Sequence, residues 1–401
     1  MPRDALSDVW VVEVGSGVAP AYCGRLLADQ GARVTLVEPP AGSPLRREGP
    51  FPRQSPHHEA GGLFLYLSAG KESVTINLHT STGRALFLRL LERVDVLVED
   101  FPPGALERLG LSPPSLHRAF PRLVHLSLTW FGHTGPYAHY QGCDLVAYAV
   151  SGYAYLTGNP DKPPLKAGGR QTEYQAGVNG AMAVLSALLA RDATGRGQWL
   201  DLSVVEATAH TFDGVTVFHM AQRGILPRRN GTRLIQREPH TAYPSTLLPV
   251  KGGWVHAHWS PQNPEGLALL ANNPRLADPE VLATPMGHAD EIDALLREGL
   301  KDRTPQEVME QAQELRIPFT VVQDVAQVLH DPQNQAMGFF PPVEHPVAGR
   351  WRIPASPIHW DDEPYQPRRA PLLGEHNRQV FCQELGLTPE DLVRLRAGGV
   401  L

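Results

Sequence analysis

Cysteine is scarce: Cys23, Cys143 and Cys382 are the only three in 401 residues, and no CxxC pair occurs. A disulfide framework and a cysteine-built zinc site are therefore not expected, and a reducing compartment is. No apolar run approaches the roughly 20 residues that cross a bilayer, so no membrane partner is expected. The opening MPRDALSDVW has acidic residues and no apolar stretch of the signal-peptide type, so the expected location is cytoplasmic. An excess of positive charge is missing too. Thirty-six Lys and Arg stand against 42 Asp and Glu, giving a net charge of −6 and a pI near 6.3. Nucleic-acid binders need clustered cations to neutralise phosphates, so no nucleic-acid partner is expected. A small phosphate-bearing ligand stays open, because a few local cations suffice to hold one.

What is present is the composition of a globular chain: 42% of residues are hydrophobic and 19% charged. The length argues for about two domains. VWVVEV (9–14) is a near-continuous apolar run, as expected of a strand buried on both faces. The turn GSGVAP follows, then helical spacing from Ala21 to Gln30, then the strand-like RVTLVE (33–38). Further strands are expected at SVTINL (73–78), VDVLVED (94–100) and LVHLSLTW (123–130), with a helix from Thr80 to Val94. This alternation predicts an α/β doubly wound fold with a parallel sheet. A long Pro/Gly-rich loop spans 39–62. An alanine-rich helix is expected from Val178 to Arg191, and WLDLSVVEA reads as a strand running into a helix. Residues 223–249 read as a linker and GGWVHAHW (252–259) opens a smaller unit, with ELRIPFTVV (314–322) as another of its strands. Regular structure thins between His330 and Leu373, and PEDLVRLRAG reads as a capped helix. The expected division is 1–222 as the large domain, 223–249 as linker, 250–325 as small domain and 326–401 as a segment returning to the large domain.

Several motifs invite chemistry. Gly15-Ser16-Gly17 after the first strand begins a dinucleotide fingerprint, with Glu38 in the place of a ribose-binding acid. The third glycine is replaced by Pro20, so the fingerprint is broken. What survives is a glycine-rich turn before a helix, whose backbone N–H groups favour an anion. His256 and His258 share one face of a strand but lack an evident third metal ligand. His133 in GHTGP reads as a turn residue, and no GxSxG elbow occurs. Glu173, in QTEYQAG before the alanine-rich helix, has two readings. It suits a first helical turn, where the dipole favours negative charge, lowers a carboxyl pKa and keeps it ionised. An ionised carboxylate there is also a workable nucleophile. Local sequence does not separate the two.

Nine blocks in order resemble the class III coenzyme A transferases. They are LLADQGARVTLVEPPAG, GKESVTINL, DVLVEDFPPGALERLGL, LTWFGHTGPY, GCDLVAYAVSG, ALLARDATGRGQWLDLSVVEA, RIPFTVVQDVAQVLHDPQNQA, HPVAGRW and APLLGEHNRQV. The resemblance implies a large Rossmann-like domain built from both chain ends, a small inserted α/β domain, and two chains interlocked as a dimer. It also implies transfer of coenzyme A from an acyl-CoA to a carboxylic acid. Coenzyme A would be a substrate, not a permanently bound cofactor.

Counting back from Gly195-Arg196-Gly197-Gln198, the family's nucleophilic aspartate falls on Glu173, one methylene longer by about 1.5 Å. The resemblance carries coenzyme A contacts onto Gly15, Ser16 and Gly17, onto Ile76 and His79, and onto Asp100, Phe101 and Arg108. Arg108 is the candidate for a CoA phosphate. Asp100 stands where the family has asparagine, and Pro39 where a relative has a basic residue; Arg46, Arg47 and Lys71 are the cations that would compensate. Two further readings belong beside the transferase. One is a non-catalytic, CoA-binding partner of an Asp-bearing paralogue, in a heteromer in place of a homodimer. The other is an acyl-CoA racemase, whose catalytic histidine would fall on Cys143.

Overall fold

The computed structural model describes residues 5–211, 221–224, 229–233, 242–258, 263–360 and 365–401. The chain divides into two compact units, one of Met1–Gly152, Ala167–Phe212 and Pro332–Leu401, the other of Tyr153–Lys166 and Asp213–Asp331.

The first unit is built on six parallel strands: β1 (Trp10–Val14), β2 (Arg33–Glu38), β3 (Glu72–Thr75), β4 (Val96–Glu99), β5 (Val124–Thr129) and β6 (Trp199–Ser203). Their spatial order is β3-β2-β1-β4-β5-β6. This is the doubly wound order of a Rossmann fold. The strands read as apolar runs because both faces are covered. Alternate side chains go to opposite faces. Val11, Val96, Val98 and Leu126 face one core, while Val12, Val14, Val37 and Leu97 face the other.

The helices of this unit in chain order are α1 (Val18–Asp29), α2 (Gly62–Leu67), α3 (Ser81–Leu91), α4 (Ala105–Arg108), α5 (Pro113–Ala119), α6 (Asp144–Val150), α8 (Gln171–Thr194) and α9 (Val204–His210); α7 (Tyr153–Leu156) belongs to the second unit. On the Val11 side, Ala19, Cys23 and Leu27 of α1 pack with Ala176, Val184 and Ala187 of α8. On the other side lie Leu86, Phe87 and Leu90 of α3. Val380 and Phe381, from a π-helical turn at Arg378–Glu384, join them, so the C-terminal segment belongs to this core. No helix among the described residues is long and apolar enough to cross a membrane.

The second unit has an antiparallel sheet of β7 (Ser245–Val250), β8 (Gly253–His258) and β9 (Thr320–Val321), in that order. Its helices include α10 (Pro264–Ala271), α11 (Pro279–Ala283), α12 (Ala289–Leu300) and α13 (Pro305–Glu314), packed around Leu248, Val255, Leu296 and Phe319.

Several elements differ from the sequence reading. β7 occupies the end of the stretch read as a linker, whose residues 225–228 and 234–241 lie outside the described set. The strand expected over 314–322 shrinks to two residues. Glu314 still belongs to α13, Arg316 has a φ of +57°, and Pro318 lacks an N–H. The stretch 330–373 holds an antiparallel hairpin of β10 (Pro342–His345) and β11 (Gly349–Arg352). α8 begins at Gln171, so the QTEYQAG segment lies inside the helix and not before it.

Candidate active site

The order of the sheet reverses between β1 and β4. A doubly wound fold opens a crevice there, at the carboxyl ends of the strands. β1 ends at Val14, the chain turns through Gly15-Ser16-Gly17, and α1 starts at Val18 with no side-chain cap. The first N–H groups of a helix have no partner within it and must find acceptors elsewhere. Here two remote carboxylates supply them. Asp100, just past β4, accepts from Ser16 N–H at 3.0 Å through Oδ1 and from Gly17 N–H at 2.7 Å through Oδ2. Glu173 Oε2 accepts from Val18 N–H at 3.0 Å. The glycines are required by this approach: a Cβ on Gly15 would collide with Asp100 Oδ1, and one on Gly17 would sit 2.6 Å from Asp100 Oδ2. The N–H groups of this turn, expected to favour an anionic ligand, go to the chain's own carboxyl groups.

Glu173 lies in the first turn of α8 and is 7% exposed. It does not cap its own helix; its carboxylate reaches across to the start of α1. The cap comes from Asp144 at the start of α6, whose Oδ1 accepts both the N–H (3.0 Å) and the hydroxyl (2.8 Å) of Thr172. Beside it Arg170 pairs with Glu48. Burial raises the Glu173 carboxyl above its ordinary range, against the pull of Val18 N–H and Arg170, while Asp144 and Glu48 push it further up. The sequence reading expected the helix dipole to lower it. Desolvation wins because the side chain is almost wholly covered.

Glu173, Asp100, Gly17 and Arg108 line one cavity of about 380 Å³. Its other walls include Thr129 and Trp130 at the end of β5, and His139, Tyr140 and Gln141 from the loop that follows. Thr129 Oγ1 is buried with no hydrogen-bond partner among the described residues. The sequence reading missed these residues. Two signals pointed to them: the carboxyl end of a parallel strand, and the Gly/Pro-rich loop from 132 onward, of the kind that carries function.

Other candidates lie elsewhere. Ile76 is buried in the apolar core on the far side of the sheet, with its N–H bonded to the Glu38 carbonyl. Phe101 packs against that same core and its N–H goes to Glu99. His79 is exposed. None of the three lines the cavity. Glu38 is not free for a ribose: it holds Arg46 at 2.6 Å and accepts from Ser73 Oγ. Arg46 and Lys71 are likewise unavailable to a phosphate, being buried against Glu38 and Glu59, and against Glu13 at 2.7 Å. Buried cations of this kind persist only when paired. Arg47 and Arg108 remain exposed. His256 and His258 stack with ring centroids 6.1 Å apart, and no group of three potential metal ligands forms among the described residues.

Residues 6–377 match the family model for CoA-transferase family III. The chain belongs to that family. The succinyl-CoA–D-citramalate CoA-transferase of Chloroflexus aurantiacus is 31% identical to it over 417 residues, covering 100% of this chain and 99% of the relative. The succinyl-CoA–L-malate CoA-transferase alpha subunit of the same organism is 30% identical over 403 residues, covering 99% and 92%. A CAIB/BAIF family protein from Brucella suis, solved by crystallography, superposes with a TM-score of 0.81 at 29% identity, covering 96% of this chain and 99% of that one. As a member of CoA-transferase family III, the chain has its glycine turn, Asp100 and Glu173 at the switch point of the sheet.

Proposed function

We propose that the protein moves coenzyme A from an acyl-CoA thioester to a carboxylic acid, with Glu173 as the covalent nucleophile. The observation that carries this is the placement of Glu173. Its carboxylate is withdrawn from its own helix terminus, held by one N–H of α1, and turned to the switch-point cavity. A structural cap would bond its own helix instead. Coenzyme A enters as a substrate, and Arg108 on the cavity wall is the cation proposed for its phosphates.

The Glu173 carboxylate attacks the thioester carbonyl; an O–C bond forms, the C–S bond breaks, and CoA leaves as thiolate. The thiolate attacks Cδ of Glu173 in the mixed anhydride, forming a glutamyl-CoA thioester and releasing the donor acid. The acceptor carboxylate attacks the same Cδ and expels the thiolate, forming a second mixed anhydride; the thiolate attacks the acceptor's acyl carbon, the C–O bond to Glu173 breaks, and the new acyl-CoA leaves with Glu173 restored as a carboxylate. No proton is consumed. Each tetrahedral stage develops an oxyanion that N–H donors must meet.

The assembly proposed is a dimer. Val178, Met182, Leu185 and Leu189 make an exposed apolar stripe along α8, spaced as one helix face requires. Incubation with acyl-CoA followed by peptide mass spectrometry tests the nucleophile: a CoA adduct on Glu173 is expected. Retained CoA binding with no adduct across a broad acyl-CoA panel would favour the non-catalytic partner-subunit reading.

A further inference from the structure

Two carboxylates from distant parts of the chain converge on the first turn of α1. Asp100 takes the N–H groups of Ser16 and Gly17, and Glu173 takes that of Val18. A Cβ built on Gly17 would lie 2.6 Å from Asp100 Oδ2 and 3.6 Å from Glu173 Oε2. The two carboxylates are therefore no more than about 6 Å apart, within the range where one ionisation opposes another. Both line the same cavity.

Of the charges around them, Arg170 alone eases the conflict at Glu173. Glu173 faces Arg170 on its own segment, Asp144 at the start of α6 and Glu48 in the loop after β2. Asp100 faces Glu99 and Glu13 on the adjoining strands, and shares the cavity wall with Arg108 and His139. Arg170 is already engaged by Glu48, and no cation forms an ion pair with Asp100 or Glu173 among the described residues. The helix terminus offers roughly half a positive charge, enough to offset part of one carboxylate and not two.

We propose that Asp100 and Glu173 titrate as one coupled pair, with Asp100 the positioning residue that holds the shared proton and leaves Glu173 ionised. Groups coupled this way lose their protons in two steps that belong to the pair. Removal from water pushes the Asp100 carboxyl up to about 7, against the pull of its two N–H donors, and the Glu173 carboxyl is raised as well. A proton resting on Asp100 leaves Glu173 as the anion that attacks a thioester. The inference rests on Glu173 being the reacting group for its functional meaning, but not for its measurement.

The test is esterification by a diazo reagent, which labels only protonated carboxyls, followed residue by residue by peptide mass spectrometry. It is run between about pH 4 and about pH 9, the span over which perturbed carboxyls titrate. In Glu173→Gln the midpoint for labelling Asp100 falls by about one pH unit or more relative to wild type, because the neighbouring anion that opposed its ionisation is gone. Glu173→Ala is expected to give the same fall, so either variant alone tests the pair if the other does not fold; Asp100→Asn leaves the Glu173 midpoint in place, because Asp100 is already neutral while Glu173 titrates. Circular dichroism identifies the folded variants. An Asp100 midpoint unchanged in the folded Glu173 variants overturns the proposal, because loss of a merely structural contact would not move a titration. Shifted midpoints without any CoA adduct support the pair while removing the nucleophile; an adduct with unshifted midpoints does the reverse.

Discussion

The length of Glu173 is itself a structural fact. Its carboxylate meets Val18 N–H at 3.0 Å. Glu173→Asp withdraws the carboxylate by about 1.5 Å and breaks that bond. Displacement of a reacting group by this amount costs about a hundredfold in rate. Steady-state kinetics are therefore expected to show that loss in Glu173→Asp, with little change in thermal stability; equal or faster turnover would mean the site was shaped for the shorter acid. Local sequence left Glu173 open between helix start and nucleophile, and only the resemblance to the class III coenzyme A transferases singles it out as the proposed nucleophile. Its partner was not legible, because Val18 and Glu173 lie 155 residues apart and no local pattern joins them. In the sequence, Asp100 stands only as a departure from the family's asparagine among the coenzyme A contacts. Its two amide bonds to a turn more than 80 residues away give it another task, holding the start of α1. The raised Glu173 carboxyl was missed for the same reason: burial is a property of the folded site, not of the first turn of one helix.

At the scale of elements, α8 decides where Glu173 stands. It lies close on α1 because small residues face that helix. A Cβ on Gly177 would be 2.9 Å from the Ala19 carbonyl oxygen, and one on Gly180 would be 3.0 Å from Leu126 Cδ2. Gly177→Val forces the two helices apart and should lower stability by about 1–3 kcal/mol, the usual cost of overpacking. Urea unfolding measures it; an unchanged midpoint would mean that the interface yields freely. The continuous apolar runs of β1, β2 and β5 were legible in the sequence, since strands covered on both faces leave that mark. The start of α8 was not, because its cap is Asp144, a residue 28 positions upstream. β9 was overextended because an apolar stretch interrupted by Pro318 reads as a strand until the end of α13 is known.

At the scale of the molecule, the strand order places a crevice between β1 and β4, and the buried Glu173 and half-buried Asp100 meet there. The same α8 turns an apolar stripe to solvent, with Val178 50%, Met182 59% and Leu189 74% exposed. A second copy of the chain is expected to cover it. Sedimentation should give wild type twice the 43.9 kDa chain mass, and Leu189→Glu should shift it toward the single chain. A wild type that sediments as a single chain would contradict the dimer.

The most direct test of the central claim is the mass of the Glu173 peptide after incubation with acyl-CoA. The account predicts a CoA adduct on Glu173 that hydroxylamine removes and that is missing in Glu173→Gln. An adduct on another carboxylate, or turnover by Glu173→Gln at the wild-type rate, would contradict it.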